Sequence, residues 1–556
     1  MSSPVTTYKN MLVTAAGTAF SRILGLFRDL LTASFFGTSG VAGAFIIAFQ
    51  IPNLFRRLLG EGALTSAFMP AITQERELGG NARAFRFLNQ VLTRMVPWIL
   101  LIMVVFVVAA LAIAYLPDSV LRGVAGFFGT ESAGSADEIE RYRLAAKLTA
   151  FCMPYMPMIC VAAVFTAALN MLGKFAVTAL SAVWLNLAMI FSLGVLGWLF
   201  GETPEQRVAW LCAGALFGGF LQLAIPAIAL WRNGWRAKPD LATTESWGKL
   251  KTMFVPAVIG AGVNQLNIFM TRFLAFSLDE RAIAVYYYAN RVVEIPVGIF
   301  SVTVTTVVFP LLAGYAAAKD MKSLGATFAH GVRLILGINV PAMVGIIVLA
   351  RPLVFAFFEH GNFGESDTDL TVPVLCIFAC AVPFYAVSGI VGRVFNSLKD
   401  TKIQMRSGIL AFCVNLVLVP LLGWHFGACG LAAANLVAAI SQCAMLLIVL
   451  RRRERVLFAE PMISALLKVV AASAVMGVAA SWLWDVAFRL ISGALTVGAT
   501  YPLLSTVLGF VVVVPIAVAI YFVALKLLRF QECDELLSIF LRKILKRKER
   551  SSENGK

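Results

Sequence analysis

Charge is scarce in this chain of 556 residues: Asp, Glu, Lys and Arg make up 14% and hydrophobic residues 60%, with a mean hydropathy of +0.85. A water-soluble globule cannot present such a surface, so the chain reads as an integral membrane protein. Histidine is nearly missing, with three in all, and the nine cysteines show neither CxxC spacing nor histidine neighbours. They read as packing residues, and no zinc is expected. Paired carboxylates in an active-site-like loop are lacking, as is a nucleophile with its base, which argues against an intramembrane enzyme. Asp367, Thr368 and Asp369 resemble a metal-binding DxD, but they lie just before an apolar helix and are expected to cap it. The opening MSSPVTTYKN has no basic n-region and no small-residue cleavage site follows, so the first apolar segment is expected to remain as a helix.

What is present is a succession of apolar runs long enough to span a bilayer. The alternating ten-residue pattern of an outer-membrane barrel is absent, which predicts an all-α polytopic fold. Spans are predicted near 10–36, 41–72, 86–116, 139–172, 175–200, 206–231, 249–278, 282–315, 326–358, 369–398, 402–424, 427–450, 461–486 and 502–530, about fourteen helices. The loops at 74–86, 231–240, 316–325, 398–402 and 451–455 and the tail at 542–550 are basic, whereas 131–140, 201–206 and 363–369 are acidic or nearly neutral. Every basic loop falls on one side if both termini are cytoplasmic. The net charge of +16 then reports topology rather than nucleic-acid binding. The basic tail is suited to anionic lipid head groups.

A repeat emerges between LNMLGKFAVTALSAVWLNLAMI (169–190) and FNSLKDTKIQMRSGILAFCVNLVLV (395–419). Asn170 aligns with Asn396 and Leu172 with Leu398, and after a three-residue insertion Asn186 and Leu187 align with Asn415 and Leu416. The offset equals six helices, an even number, so the copies share an orientation. The predicted organisation is a six-helix lobe at 1–235, a second at 236–455, two further helices at 456–532, and a basic cytoplasmic tail at 533–556.

Several spans carry ionised residues, which cost roughly 2.5–3.5 kcal/mol each at a helix centre on insertion scales. The first holds Arg22, Arg28 and Asp29, the second Arg56, Arg57 and Glu61, and the eighth Arg291 and Glu294. On a helical wheel Arg22 and Asp29 lie within about 20° of each other, and Arg57 and Glu61 form an i,i+4 pair, so local pairing is open to some of them. Five arginines against three carboxylates leave surplus positive charge, which a purely structural salt-bridge network would balance. Arginine, with its planar fork, suits phosphate oxygens. The expectation is a water-filled cationic cavity between the lobes, holding an anionic, phosphate-bearing group. Gly25, Pro52, Gly60, Gly62, Pro296 and Gly298 interrupt these helices, either as a sign of moving parts or as sites of close packing.

The segments FSRILGLFRD, IPNLFRRLLGEGALTSAFMP, YYYANRVVEIPVGIF and RVFNSLKDTK resemble the signatures of the MurJ (MviN) family, the lipid II flippases of the multidrug/oligosaccharidyl-lipid/polysaccharide exporter superfamily. That resemblance implies a transporter, not an enzyme. It would carry an undecaprenyl-pyrophosphate-linked peptidoglycan precursor from the cytoplasmic to the periplasmic leaflet of the bacterial inner membrane, by alternating access. It further implies that Arg22, Arg28, Arg56 and Arg291 bind substrate. Asp29, Arg57, Glu61 and Glu294 would orient charge or gate, and the last two helices would form a groove for the lipid tail. No cofactor is implied and no coupling ion is named. Partners would be the lipid substrate and membrane lipids, with room for contacts to cell-wall synthesis proteins. A flippase for another polyprenyl-pyrophosphate-linked oligosaccharide stays open, as does an ion-coupled drug exporter of the superfamily, although the latter should have an acidic cavity. Gly43 stands where better-studied members carry an acid, so a gating role of that acid does not transfer. RVFNSLKDTK also lacks the proline that usually follows its DT pair, which leaves the turn after Asp400 open.

Overall fold

The computed structural model describes residues 4–58, 64–128, 135–242, 244–296, 302–458, 462–494 and 502–538, and all regular elements within them are helical. A helix satisfies its own backbone, which hydrocarbon cannot do. Among the described residues nine helices are long and apolar enough to cross a membrane. Contacts divide the chain into two units, Met1–Ala284 with His360–Gly364, and Val285–Glu359 with Glu365–Lys556.

The first unit contains α1 (Pro4–Phe36), α2 (Gly40–Phe55), α3 (Leu64–Ala114), α4 (Asp118–Phe128), α5 (Ala136–Cys152), α6 (Tyr155–Met171), α7 (Phe175–Ala179), α8 (Ser181–Phe191), α9 (Trp198–Phe200), α10 (Pro204–Arg232) and α11 (Glu245–Leu278). Its core gathers Phe68, Phe87, Leu88, Phe165 and Trp235 in one cluster, and Met153, Tyr155 and Met156 in another. Of the single helix expected over 41–72, α2 ends at Phe55, a wider helical turn covers 56–58 and α3 starts at Leu64, with 59–63 outside the described residues. Within α2, Pro52 removes one ladder donor. Beyond the predicted spans, α4 follows Pro117, and its Asp118 accepts from Arg143 at 2.5 Å.

The second unit begins inside α12 (Ala282–Pro296) and continues with α13 (Val302–Ala317), α14 (Met321–Val348), α15 (Ala350–Phe358), α16 (Glu365–Ser397), α17 (Thr401–Arg453), α18 (Met462–Ala494) and α19 (Pro502–Leu527). Phe328, Val332, Phe395, Leu446, Val469 and Tyr521 share its core, so the last two helices pack into this unit through α14. Inside α17 the chain turns sharply at Gly427 with φ +54°. A Cβ on the neighbouring Gly430 would lie 1.9 Å from the Leu422 carbonyl oxygen, so only glycine fits there.

Two loop expectations are resolved here. Asp367 lies in the first turn of α16, where negative charge suits the helix dipole, and Thr368 and Asp369 follow it inside the helix rather than ahead of it, with Asp369 accepting from Arg351 at 2.5 Å. After Lys399, whose φ is +61°, Asp400 sits at the start of α17 and accepts from Arg453 at 2.5 Å. That bond holds the Asp400 carboxyl below its ordinary range.

The segment between α10 and α11 is fastened to α3. Trp235 donates its indole N–H to Asn89 Oδ1 at 2.9 Å, Asn89 donates to the Arg236 carbonyl at 2.9 Å, and Arg94 donates to the Leu241 carbonyl at 2.5 Å. Arg86 Nε meets Asp240 Oδ2 at 2.8 Å. The hydrogen bond from Arg86, followed by that from the Ala242 N–H, lowers the Asp240 pKa to about 2. Because the folded value is depressed, these bonds are intact above the ordinary carboxylate pKa of about 4 and are lost as pH falls through about 2. Asp240→Asn is expected to raise amide hydrogen exchange across 235–242 severalfold at neutral pH without changing exchange in the α3 core, as read by mass spectrometry. Equal exchange in both proteins would show that Asp240 does not hold the segment.

Candidate functional site

In the first unit, Arg28 is the best-held of the predicted residues. Its Nε and Nη2 donate to Asp29 Oδ1 at 3.1 and 2.8 Å, and Nη1 donates to Asn186 Oδ1 at 3.2 Å. The Arg28 side chain is 12% exposed and Asp29 3%, so the fork is fixed in a sheltered place. Asp29 thus pairs with its sequence neighbour rather than with Arg22, the residue its helical phase suggested. Arg22 lies exposed on α1.

Asn186 is the repeat asparagine of α8, and it does two things at once. While its oxygen accepts from Arg28, its amide nitrogen donates to the Ser21 carbonyl of α1 at 3.0 Å. It therefore grips α1 on both sides of Gly25. The alignment with Asn415 drew attention to Asn186 in the sequence, but its role was hidden there, because the partner lies 158 residues away.

Arg56 donates from Nε to Asn53 Oδ1 at 2.6 Å, one helical turn back. Arg57 is half-buried beside it. Glu61, its expected i,i+4 partner, lies outside the described residues. A further embedded cation, outside the three charged spans singled out from the sequence, is Arg272 on α11, which donates to Gln50 of α2. The rule that singled out the other spans applies equally to TRF at 271–273.

In the second unit, Arg291 and Glu294 form an i,i+3 pair on α12 at 2.8 Å. Arg291 also donates to the Tyr287 hydroxyl at 3.2 Å, and its guanidinium sits 5.5 Å from that ring's centroid. Both members are partly exposed, at 31% and 50%, and Asn290 donates to Glu294 at 2.9 Å. Each fork is pinned within its own unit, Arg28 by a carboxylate and an amide and Arg291 by a carboxylate and a phenol. Such pre-set donors can bind phosphate oxygens bidentately without losing much side-chain freedom.

The family description "Lipid II flippase MurJ" matches residues 32–498. This chain belongs to the MurJ family. Among its relatives, a probable lipid II flippase MurJ of Rhizobium tropici is 30% identical over 519 residues, covering 93% of each chain. One of Vibrio cholerae is 29% identical over 445 residues, covering 79% of this chain and 82% of its own. A solved lipid II flippase MurJ in an inward closed conformation superposes with a TM-score of 0.70 at 24% identity, covering 96% of this chain and all of that one. A multidrug resistance MATE transporter of the MOP superfamily, in an inward-facing conformation, gives 0.59 at 13% identity, covering 80% of this chain and 98% of its own. These two likenesses show the shared fold. The MurJ family consists of transporters rather than catalysts, and the chain is a multi-pass membrane protein.

Position 43 now has a physical account. A Cβ on Gly43 would lie 2.9 Å from Ile283 Cγ2 and 3.5 Å from the Glu280 carbonyl oxygen, so this packing leaves no room for an acidic side chain. Glu280 instead brings its own carboxylate to the start of α2, accepting from the Gly40 N–H at 2.8 Å.

Asn186→Leu keeps the branch at Cγ but strips both bonds, leaving the half-buried Ser21 carbonyl without its amide donor and the Arg28 fork one acceptor short. The expected loss is about 1–3 kcal/mol of stability, measured by thermal unfolding of the purified protein in detergent. An unchanged midpoint would remove Asn186 from its assigned role.

Proposed function

We propose that this MurJ-family protein is a lipid II flippase of the bacterial inner membrane, with both termini cytoplasmic. It moves the pyrophosphate-linked precursor from the cytoplasmic to the periplasmic leaflet. The observation that carries this reading is the sheltered Arg28 fork, held by Asp29 and Asn186, in a chain of that family. Arg28, Arg56, Arg291 and Arg22 are the proposed phosphate-binding residues, and Asp29, Arg57, Glu61 and Glu294 orient or gate them.

Physical chemistry supplies the division of labour. A diphosphate cannot cross hydrocarbon unaided, since bare charges there cost tens of kcal/mol, so the head group travels inside protein. The prenyl chain gains about 0.8 kcal/mol for each CH₂ kept in lipid, so it stays outside, along the last two helices. In this reading two six-helix repeats, 1–235 and 236–455, expose the site to each side in turn. An inside-negative potential favours outward passage of an anion by roughly 2.3 kcal/mol per charge per 100 mV.

Arg28→Ala or Arg291→Ala is expected to abolish flipping of a labelled lipid-linked pyrophosphate in vesicles, with membrane insertion unchanged. The lysine variants should recover part of the activity, because charge is kept while the fork is lost. Wild-type turnover by both alanine variants would dismiss the assignment. Preferential binding of organic cations over the lipid would favour a drug exporter instead.

A further inference from the structure

The α2 and α11 helices of the first unit pack together, and between them lies a polar group that the arginines discussed above do not use. Arg272 stands six residues before the last residue of α11, about 9 Å along the axis. It donates to Gln50 Oε1 of α2. Gln50 is 3% exposed and Gln265, also on α11, is 8% exposed. Both are incompletely matched: Gln50 Nε2 and Gln265 Oε1 have no hydrogen-bond partner among the described residues. Seven residues separate Gln265 from Arg272, so they share a face of α11, about 10 Å apart.

A purely structural bridge in an apolar setting closes its hydrogen bonds, because each buried group left unmatched costs about 1–3 kcal/mol. Here a guanidinium is flanked by one unmatched amide donor and one unmatched carbonyl acceptor. That set is complementary to an oxyanion with a hydroxyl or amide N–H near it. Glycosylated lipid phosphates bearing a peptide offer that chemistry. We propose that Arg272, Gln50 and Gln265 form a second binding station for the substrate head group, separate from the Arg28 site. This rests on the flippase reading above. Arg272 supplies the charge, Gln50 the second donor, and Gln265 the acceptor that distinguishes a hydroxyl- or amide-bearing head group from a bare anion.

The test compares wild type with Arg272→Ala, Arg272→Lys, Gln50→Glu and Arg28→Ala in vesicles. It measures the KM and maximum rate for lipid-linked pyrophosphate, the affinity for inorganic pyrophosphate, and thermal stability. Arg272→Ala should raise KM about tenfold or more, and Arg272→Lys should partly restore it. Gln50→Glu is the deciding variant: its carboxylate strengthens the link to Arg272 while cancelling the cation. A binding station predicts a raised KM with stability kept or improved. A structural bridge predicts wild-type KM, and that result overturns the proposal. Loss of inorganic pyrophosphate affinity in Arg272→Ala would assign the oxyanion to the diphosphate, and its retention would assign a carboxylate on the head group; both support the station. If wild type fails to move the lipid-linked pyrophosphate, or Arg28→Ala moves it normally, the flippase reading itself falls. Transport by wild type and its loss in Arg28→Ala, with unchanged KM in the α2 and α11 variants, sinks the second station alone.

Discussion

The cost of placing a guanidinium inside a membrane helix governs this structure. Each such group must find hydrogen-bond partners within reach, because lipid offers none. The partners seen are of two kinds. Asp29 and Glu294 are carboxylates and cancel charge. Asn53, Asn186 and Gln50 are amides, and the bonds they accept orient a fork while leaving its charge in place. Amide partners therefore allow a helix to aim positive charge at an anion without neutralising it beforehand.

Helical class, membrane location and the charged helices were legible because they depend on local composition and on the 3.6-residue period. The alignment of Asn186 with Asn415 was legible as a pattern in the sequence. What those asparagines bond to was not, since it is set by tertiary packing: Asn186 reaches α1, whereas Asn415 faces Asn435, which in turn donates to Tyr286 of α12 at 2.9 Å. The wheel placed Arg22 and Asp29 on one face, but adjacency along the chain let Arg28 take Asp29 with two donors.

A fold shared with a MATE transporter at 13% identity illustrates how little architecture alone says about cargo. Helix packing of this kind tolerates wide change in sequence while the fold is kept. Gly43 makes a related point at the scale of one residue. Its lack of a side chain is enforced by Ile283, and a carboxylate reaches the neighbouring helix start from Glu280 instead.

The fastening of residues 235–242 onto α3 bears on how force passes along the chain. A slack tether absorbs displacement, whereas a tether bonded through Asn89, Arg86 and Arg94 passes it on. The Glu245 end of α11 is thus moored to α3, and the next residue of this unit free of helical constraint is the extended Asp279 that follows Leu278. A displacement of α3 at that mooring is therefore carried along one unbroken helix of 34 residues before the backbone has freedom to absorb it.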